Sequence, residues 1–316
     1  MGILLGGRYR TVELLGSGGG ATVYRAVDEA LDREVAVKLF APATEDDDKY
    51  RRQHTEKLLL AKLNHPGLVT LLDAGLHQDE TGATTSYLVM ELVDGEDLRR
   101  RLASGPLPGP DVAQIGADLA DALAYIHQQG VIHRDIKPAN ILLSGGETDT
   151  RHHPKLTDFG VARMLNATVA TTHGATIGTA NYLSPEQALG EEITPATDVY
   201  SLALVLIECL TGEQAFPGPM VEAAVARLLR DPHVPESAGP EWGTLLHAMT
   251  ARNPADRPNA HDVAVTLRSW TEPGTAVNAG AAGVLTPARG ADQALPGATT
   301  GNVVIPSPPN RAPSVG

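Results

Sequence analysis

The sequence predicts an α+β fold in two lobes: a small N-lobe with a five-stranded antiparallel sheet and one helix, then a larger, mainly helical C-lobe. Up to about residue 93 the chain is cut into short β-branched runs separated by polar turns. From about residue 96 the apolar residues recur at helical spacing instead. Beyond residue 272 Pro, Gly, Ala, Ser and Thr dominate, with only Arg289, Asp292 and Arg311 charged. Such a stretch cannot bury enough apolar surface to offset its ordering entropy, so 273–316 reads as a disordered tail. The folded unit then spans 8–270, as lobes of about 8–93 and 94–270.

In the N-lobe, residues 9–40 read as three strands, two of them the β-branched runs 22–27 and 34–40. Between the first two lies Gly16-Ser17-Gly18-Gly19-Gly20-Ala21-Thr22-Val23. Glycines there let backbone N–H groups approach a phosphate without a Cβ in the way, although glycine clusters also serve ordinary hairpin turns. Alternation along the next strand puts Ala36 and Lys38 on one face and Val35, Val37 and Leu39 on the other. Lys38 therefore faces the side of the glycine turn, unless it is a solvated lysine on an edge strand. A helix over 47–64 carries Leu59, Leu60 and Leu63 at core spacing, with Glu56 one turn earlier. Two further strands, 68–72 and 86–92, close the sheet, and the polar stretch 75–85 reads as a loop between them.

In the C-lobe, Gly109-Pro110-Asp111 opens a helix with Pro at its first position and an acid near the positive end of the dipole. Val112, Ile115, Leu119, Leu123 and Ile126 give it one apolar face, and Gly130 ends it. Residues 202–207 are apolar on all sides, which places that helix in the centre of the lobe. Asp198 just before it reads as an N-terminal cap. The connection 144–154, with His152 and His153, reads as an exposed loop, because two adjacent histidines are too few for a metal site.

The chemistry concentrates in Val131-Ile132-His133-Arg134-Asp135-Ile136-Lys137-Pro138-Ala139-Asn140. Six positions, Asp135 to Asn140, hold a base, a cation and a metal-ligating amide. Asp158-Phe159-Gly160 follows and offers a second carboxylate. With the glycine turn and Lys38, these are the parts that phosphoryl transfer from ATP needs.

In this order the motifs resemble the protein kinases, over roughly residues 8–270. The resemblance implies that Asp135 accepts or orients the proton of the attacking hydroxyl and that Lys137 steadies the transferring phosphoryl group. Asn140 and Asp158 would hold Mg²⁺, with Mn²⁺ as a substitute. Lys38, held by Glu56, would grip the α- and β-phosphates. Met90 falls at the gatekeeper position, Glu91 and Val93 would offer backbone hydrogen bonds to adenine, and Asp97 would lie near the ribose. Leu15, Val23, Ala36, Leu92 and Leu142 would sandwich the base. Ala21 stands where the family pattern has a third glycine.

Lys137 and Gly178-Thr179-Ala180-Asn181-Tyr182-Leu183-Ser184-Pro185-Glu186 resemble the serine/threonine branch, and bacterial members in particular, so the expected partners are protein substrates. Glu186 should pair with Arg257, and Asp198 should also brace the catalytic loop. Thr171 and Thr172 are the expected autophosphorylation sites, with Arg134 as a ready partner for a phosphorylated loop. Kinases of this bacterial type often pair through their N-lobes, so a transient homodimer is also expected. The rival reading is a pseudokinase acting as a nucleotide-binding scaffold.

Composition narrows the rest. With 316 residues and 42% apolar content the chain can bury a real core. A formal charge of -13 argues against nucleic acid as a partner. No apolar run is long enough to span a bilayer. The single cysteine, Cys209, fits a reducing compartment, so a cytoplasmic location is expected.

Overall fold

The computed structural model describes residues 2–18, 20–40, 63–79, 82, 84–145, 152–158 and 180–271. Gly19, Glu56, Thr171, Thr172 and the tail 273–316 lie outside the described residues, as does most of the helix expected over 47–64.

Strands β1 (Leu4–Leu5), β2 (Tyr9–Gly18), β3 (Ala21–Asp28), β4 (Arg33–Phe40), β5 (Leu71–Gln78) and β6 (Thr84–Glu91) form one sheet in the order β1-β2-β3-β4-β6-β5. Every neighbouring pair is antiparallel. The five expected strands are β2 to β6, and the two-residue β1 extends the β2 edge. Val35, Val37 and Val89 point to one face, where they bury against Leu5, Tyr9, Ala26 and Tyr87. Period-2 alternation then sends Ala36, Lys38 and Met90 to the other face.

Two N-lobe expectations need correction. Strand β5 starts at Leu71, because Leu68 bridges Leu156 and the Val69 N–H donates to the Leu156 carbonyl at 2.8 Å. Residues 75–85 are mostly strand: β5 runs to Gln78, β6 starts at Thr84, and Gly75 pairs with Tyr87. As a sheet edge, β5 is held mainly by its backbone ladder, so its exposed side chains can be polar without breaking the strand. At Gly75 a Cβ would come within 2.4 Å of the Tyr87 hydroxyl, so this close crossing accepts only glycine.

The C-lobe begins with β7 (Gly95–Asp97), α1 (Leu98–Leu102) and α2 (Gly109–Gln128). After the loop 131–137 and a 3₁₀ turn at Pro138–Asn140 come β8 (Ile141–Ser144) and β9 (His153–Leu156), which form a three-stranded sheet with β7. His153 therefore opens a strand instead of lying in a loop, and its carbonyl accepts from the Ser144 hydroxyl at 3.0 Å. Helices α3 (Pro185–Leu189), α4 (Pro195–Thr211), α5 (Met220–Leu229), α6 (Pro240–Met249) and α7 (Ala260–Thr271) follow among the described residues.

Helix α4 is the axis of that lobe, with every residue from Thr197 to Cys209 buried. Helix α2 packs against it at Gly116, where a Cβ would meet Leu267 at 2.8 Å and Leu206 at 3.0 Å. A side chain there would force α2 away from both α4 and α7. Burial pushes the Cys209 thiol far up, so it behaves as inert core.

Candidate active site

Register across the N-lobe sheet collects the predicted pocket residues on one face. Gly16 pairs with Val23, Val23 with Lys38, and Ala36 with Met90. Directly opposed residues share a face, so Val23, Ala36, Lys38 and Met90 line a single surface. Leu15, Ser17 and Gly18 belong to β2, Gly20 to the turn after it and Ala21 to the start of β3. A Cβ built at Gly16, Gly18 or Gly20 meets nothing within 4 Å, and none of the three has a positive φ. Neither packing nor backbone conformation requires glycine at these positions.

The chain leaves the sheet at Met90 and Glu91 and crosses to the C-lobe through Val93. The Glu91 N–H donates to the Thr70 carbonyl at 3.0 Å, so only its carbonyl can serve an adenine. The Glu91 carboxylate accepts from the Thr70 N–H and from Lys155 Nζ, each at 2.8 Å, and so ties this crossing to β9. Asp97 caps α1 by accepting from the Arg100 N–H at 3.0 Å and also pairs with Leu142 of β8.

The loop 131–140 is held from below by Asp198. One of its carboxylate oxygens accepts from the His133 N–H, the other from the Arg134 N–H, each at 2.8 Å, and His127 Nε2 lies 2.8 Å from the first. Asp198 is thus the brace that the kinase pattern implies and not the helix cap, which falls at Thr194. The imidazole of His133 is fully buried, and burial lowers its pKa. As a neutral ring it donates from Nε2 to the Thr157 carbonyl at 3.1 Å, and its Nδ1 accepts from the Asp135 N–H. The Thr157 N–H in turn donates to the Asn140 carbonyl at 2.9 Å. Asp158, the next residue, is therefore bolted to the loop that carries Asp135 and Asn140.

Two polar side chains converge on Asp135. Lys137 Nζ donates to Asp135 Oδ2 at 2.8 Å. The Asn140 amide nitrogen donates to the Asp135 carbonyl at 2.8 Å and to Oδ2 at 3.0 Å, which leaves the amide oxygen as the atom it could offer a metal. Across the cleft, Lys38 Nζ donates to Asp158 Oδ1 at 2.6 Å. Arg134 and Asp158 both sit in the left-handed region, at φ 67° and 59°, and neither is glycine. Each such residue costs about 1–3 kcal/mol, and strain of this kind gathers at functional sites.

Past the cleft, Ser184 caps α3 in a reciprocal box with Gln187. Glu186 and Arg257 meet in a buried two-pronged ion pair at 2.7 and 2.9 Å, as expected, and Thr197 donates to the same carboxylate at 2.7 Å. Sequence reasoning missed a second buried pair, in which the Tyr182 hydroxyl donates to Glu208 at 2.5 Å. It missed Gln187 as well, whose signal was the Ser-x-x-Gln box signature.

The family model described as "Protein kinase domain" matches residues 9–266. This chain belongs to the protein kinases. It is 35% identical to the serine/threonine-protein kinase PknA of Mycobacterium tuberculosis, over 97% of this chain and 71% of that protein. It is 41% identical to PknB of Mycolicibacterium smegmatis and 40% identical to PknB of Mycobacterium leprae, in each case over 80% of this chain and 41% of the relative. Kinases of this family use ATP and a divalent cation. The donors here suit such an ion: one amide oxygen and one carboxylate, with no cluster of three His, Cys, Asp or Glu among the described residues. A set this small would need phosphate oxygens to complete it. Among the described residues no helix is long and apolar enough to cross a membrane.

Proposed function

We propose that the chain is an ATP-dependent serine/threonine protein kinase with its catalytic unit over 8–270. The observation that carries the reading is the link from Lys38 to Asp158 and, through Thr157, to the loop bearing Asp135, Lys137 and Asn140. It joins a phosphate-gripping lysine, two metal donors and a base in one cleft.

Lys38 binds the α- and β-phosphates of ATP, and the glycine turn lays its N–H groups along them. Asn140 and Asp158 are the residues that would hold Mg²⁺, or Mn²⁺ in its place, and the ion would neutralise charge on the phosphates. Asp135 accepts the hydrogen bond of the incoming Ser or Thr hydroxyl and orients its lone pair toward the γ-phosphorus. Lys137, already at Asp135, offsets negative charge as the phosphoryl group passes. Val23, Ala36, Met90 and Leu142 enclose the base, the Glu91 carbonyl and the Val93 backbone meet its edge, and Asp97 meets the ribose. Autophosphorylation at Thr171 and Thr172 is part of the same reading.

The test is transfer of radiolabelled phosphate from ATP to a generic basic protein, compared with Asp135→Asn. Loss of the base should slow transfer by about 10²- to 10⁴-fold while ATP still binds. ATP binding without transfer in the unaltered protein would replace this reading with the nucleotide-binding scaffold.

A further inference from the structure

We propose that Gln187 is a positioning residue for phosphoryl transfer: its amide holds the Arg134 carbonyl, and with it the backbone turn that aims Asp135. The inference rests on the kinase reading and extends its machinery to a residue outside the cleft.

Arg134 is left-handed without being glycine, so its conformation has to be imposed from outside. Its N–H donates to Asp198 Oδ1 at 2.8 Å, which fixes the peptide on one side. On the other side, Gln187 Nε2 donates to the Arg134 carbonyl at 2.9 Å. That carbonyl shares a peptide plane with the Asp135 N–H, which points at His133 Nδ1. With both sides of that plane held and the Arg134 N–H fixed as well, ψ of Arg134 and φ of Asp135 are pinned, and these torsions set where the carboxylate lies. Misplacing a reacting group by about 1 Å can cost about 10²-fold in rate.

Gln187 is itself firmly seated. Its side-chain oxygen accepts from the Ser184 N–H at 3.0 Å, and its own N–H donates to the Ser184 hydroxyl at 3.2 Å. Its neighbour Glu186 is locked to Arg257. One amide therefore does two jobs: the oxygen closes a helix cap, and the nitrogen steadies the catalytic loop. The jobs belong to different atoms, so they can be separated.

Gln187→Glu keeps an oxygen for the Ser184 N–H, since a capping box accepts Glu as readily as Gln. It replaces the donor to Arg134 with a second oxygen. Ser184→Ala does the reverse, removing a cap hydroxyl and leaving the Arg134 bond. Steady-state kinetics and thermal melting would be measured on the full chain of both variants and of the wild type. Gln187→Glu should lower kcat by about 10- to 100-fold with KM for ATP unchanged within about twofold and a melting temperature lowered no further than that of Ser184→Ala. Ser184→Ala should melt earlier and keep kcat within about twofold. The kcat of Gln187→Glu relative to wild type should recover as pH falls into the carboxyl range, where the protonated group can donate again. Wild-type kcat in Gln187→Glu, or equal kcat losses in both variants that follow their melting temperatures, overturns the inference. A wild type that transfers no phosphate sinks the kinase reading as well, so the two failures are distinguishable.

Discussion

Lys38 Nζ lies 2.6 Å from Asp158 Oδ1, an ion pair that reaches across 120 residues of sequence and joins the N-lobe sheet to the strand-end of the C-lobe. Neither residue contributes to the apolar cluster behind the sheet. Each can be changed with little effect on folding. Lys38→Met and Asp158→Asn should each reduce phosphate transfer by about 10²-fold or more, while melting temperatures stay close to wild type. In addition, Asp158→Asn should bind ATP equally well with and without divalent cation, which nucleotide titration in the presence and absence of a chelator would measure.

The glycine turn permits a cleaner separation of binding from stability. Because a Cβ at Gly18 would meet nothing within 4 Å, Gly18→Ala should leave the melting temperature unchanged within a degree or so. A methyl group there should nevertheless stand between the backbone N–H groups and a phosphate. The expected result is an ATP KM raised by about threefold or more, read from initial rates at varied ATP. An unchanged KM would mean that phosphates do not approach this turn.

The buried pair of Glu186 and Arg257 makes the C-lobe sensitive to acid. Burial alone would raise the Glu186 carboxyl, but hydrogen bonds from Arg257 and Thr197 outweigh it and hold the group below its ordinary value. A carboxyl lowered by folding stabilises the protein above its unfolded pKa of about 4.3, and that contribution fades as pH falls toward the folded value. Melting temperature should therefore drop on acidification below about pH 4.3, and Glu186→Gln should flatten that part of the profile. At neutral pH, Arg257→Leu strands a buried carboxylate and should destabilise by about 3–5 kcal/mol. Adding Glu186→Gln should restore part of the loss.

The residues that meet around Asp135 were legible because the motif that carries them is contiguous. Asp135, Lys137 and Asn140 sit within six positions of chain, and β-strand alternation offered the glycine-turn side for Lys38 while leaving a solvated edge position open. The buried helix α4 was equally plain from 202–207, where no polar face exists to misread. What stayed hidden depends on partners distant in sequence. Residues 75–85 look like a loop because an edge strand needs little apolar content. Asp198 looks like a cap because its place at a helix start is local, whereas its bonds to His133 and Arg134 span 65 and 64 residues. The Tyr182–Glu208 pair and the reach of Gln187 to Arg134 leave no periodic trace.

The backbone crossing at Val93 is not all that joins the two lobes. The Leu156 N–H donates to the Gly67 carbonyl and the Val69 N–H to the Leu156 carbonyl, both at 2.8 Å, so β9 is also stitched to the segment that leads into β5, beside Glu91. The junction behind Lys38 is thereby held by hydrogen bonds as well as by the covalent chain.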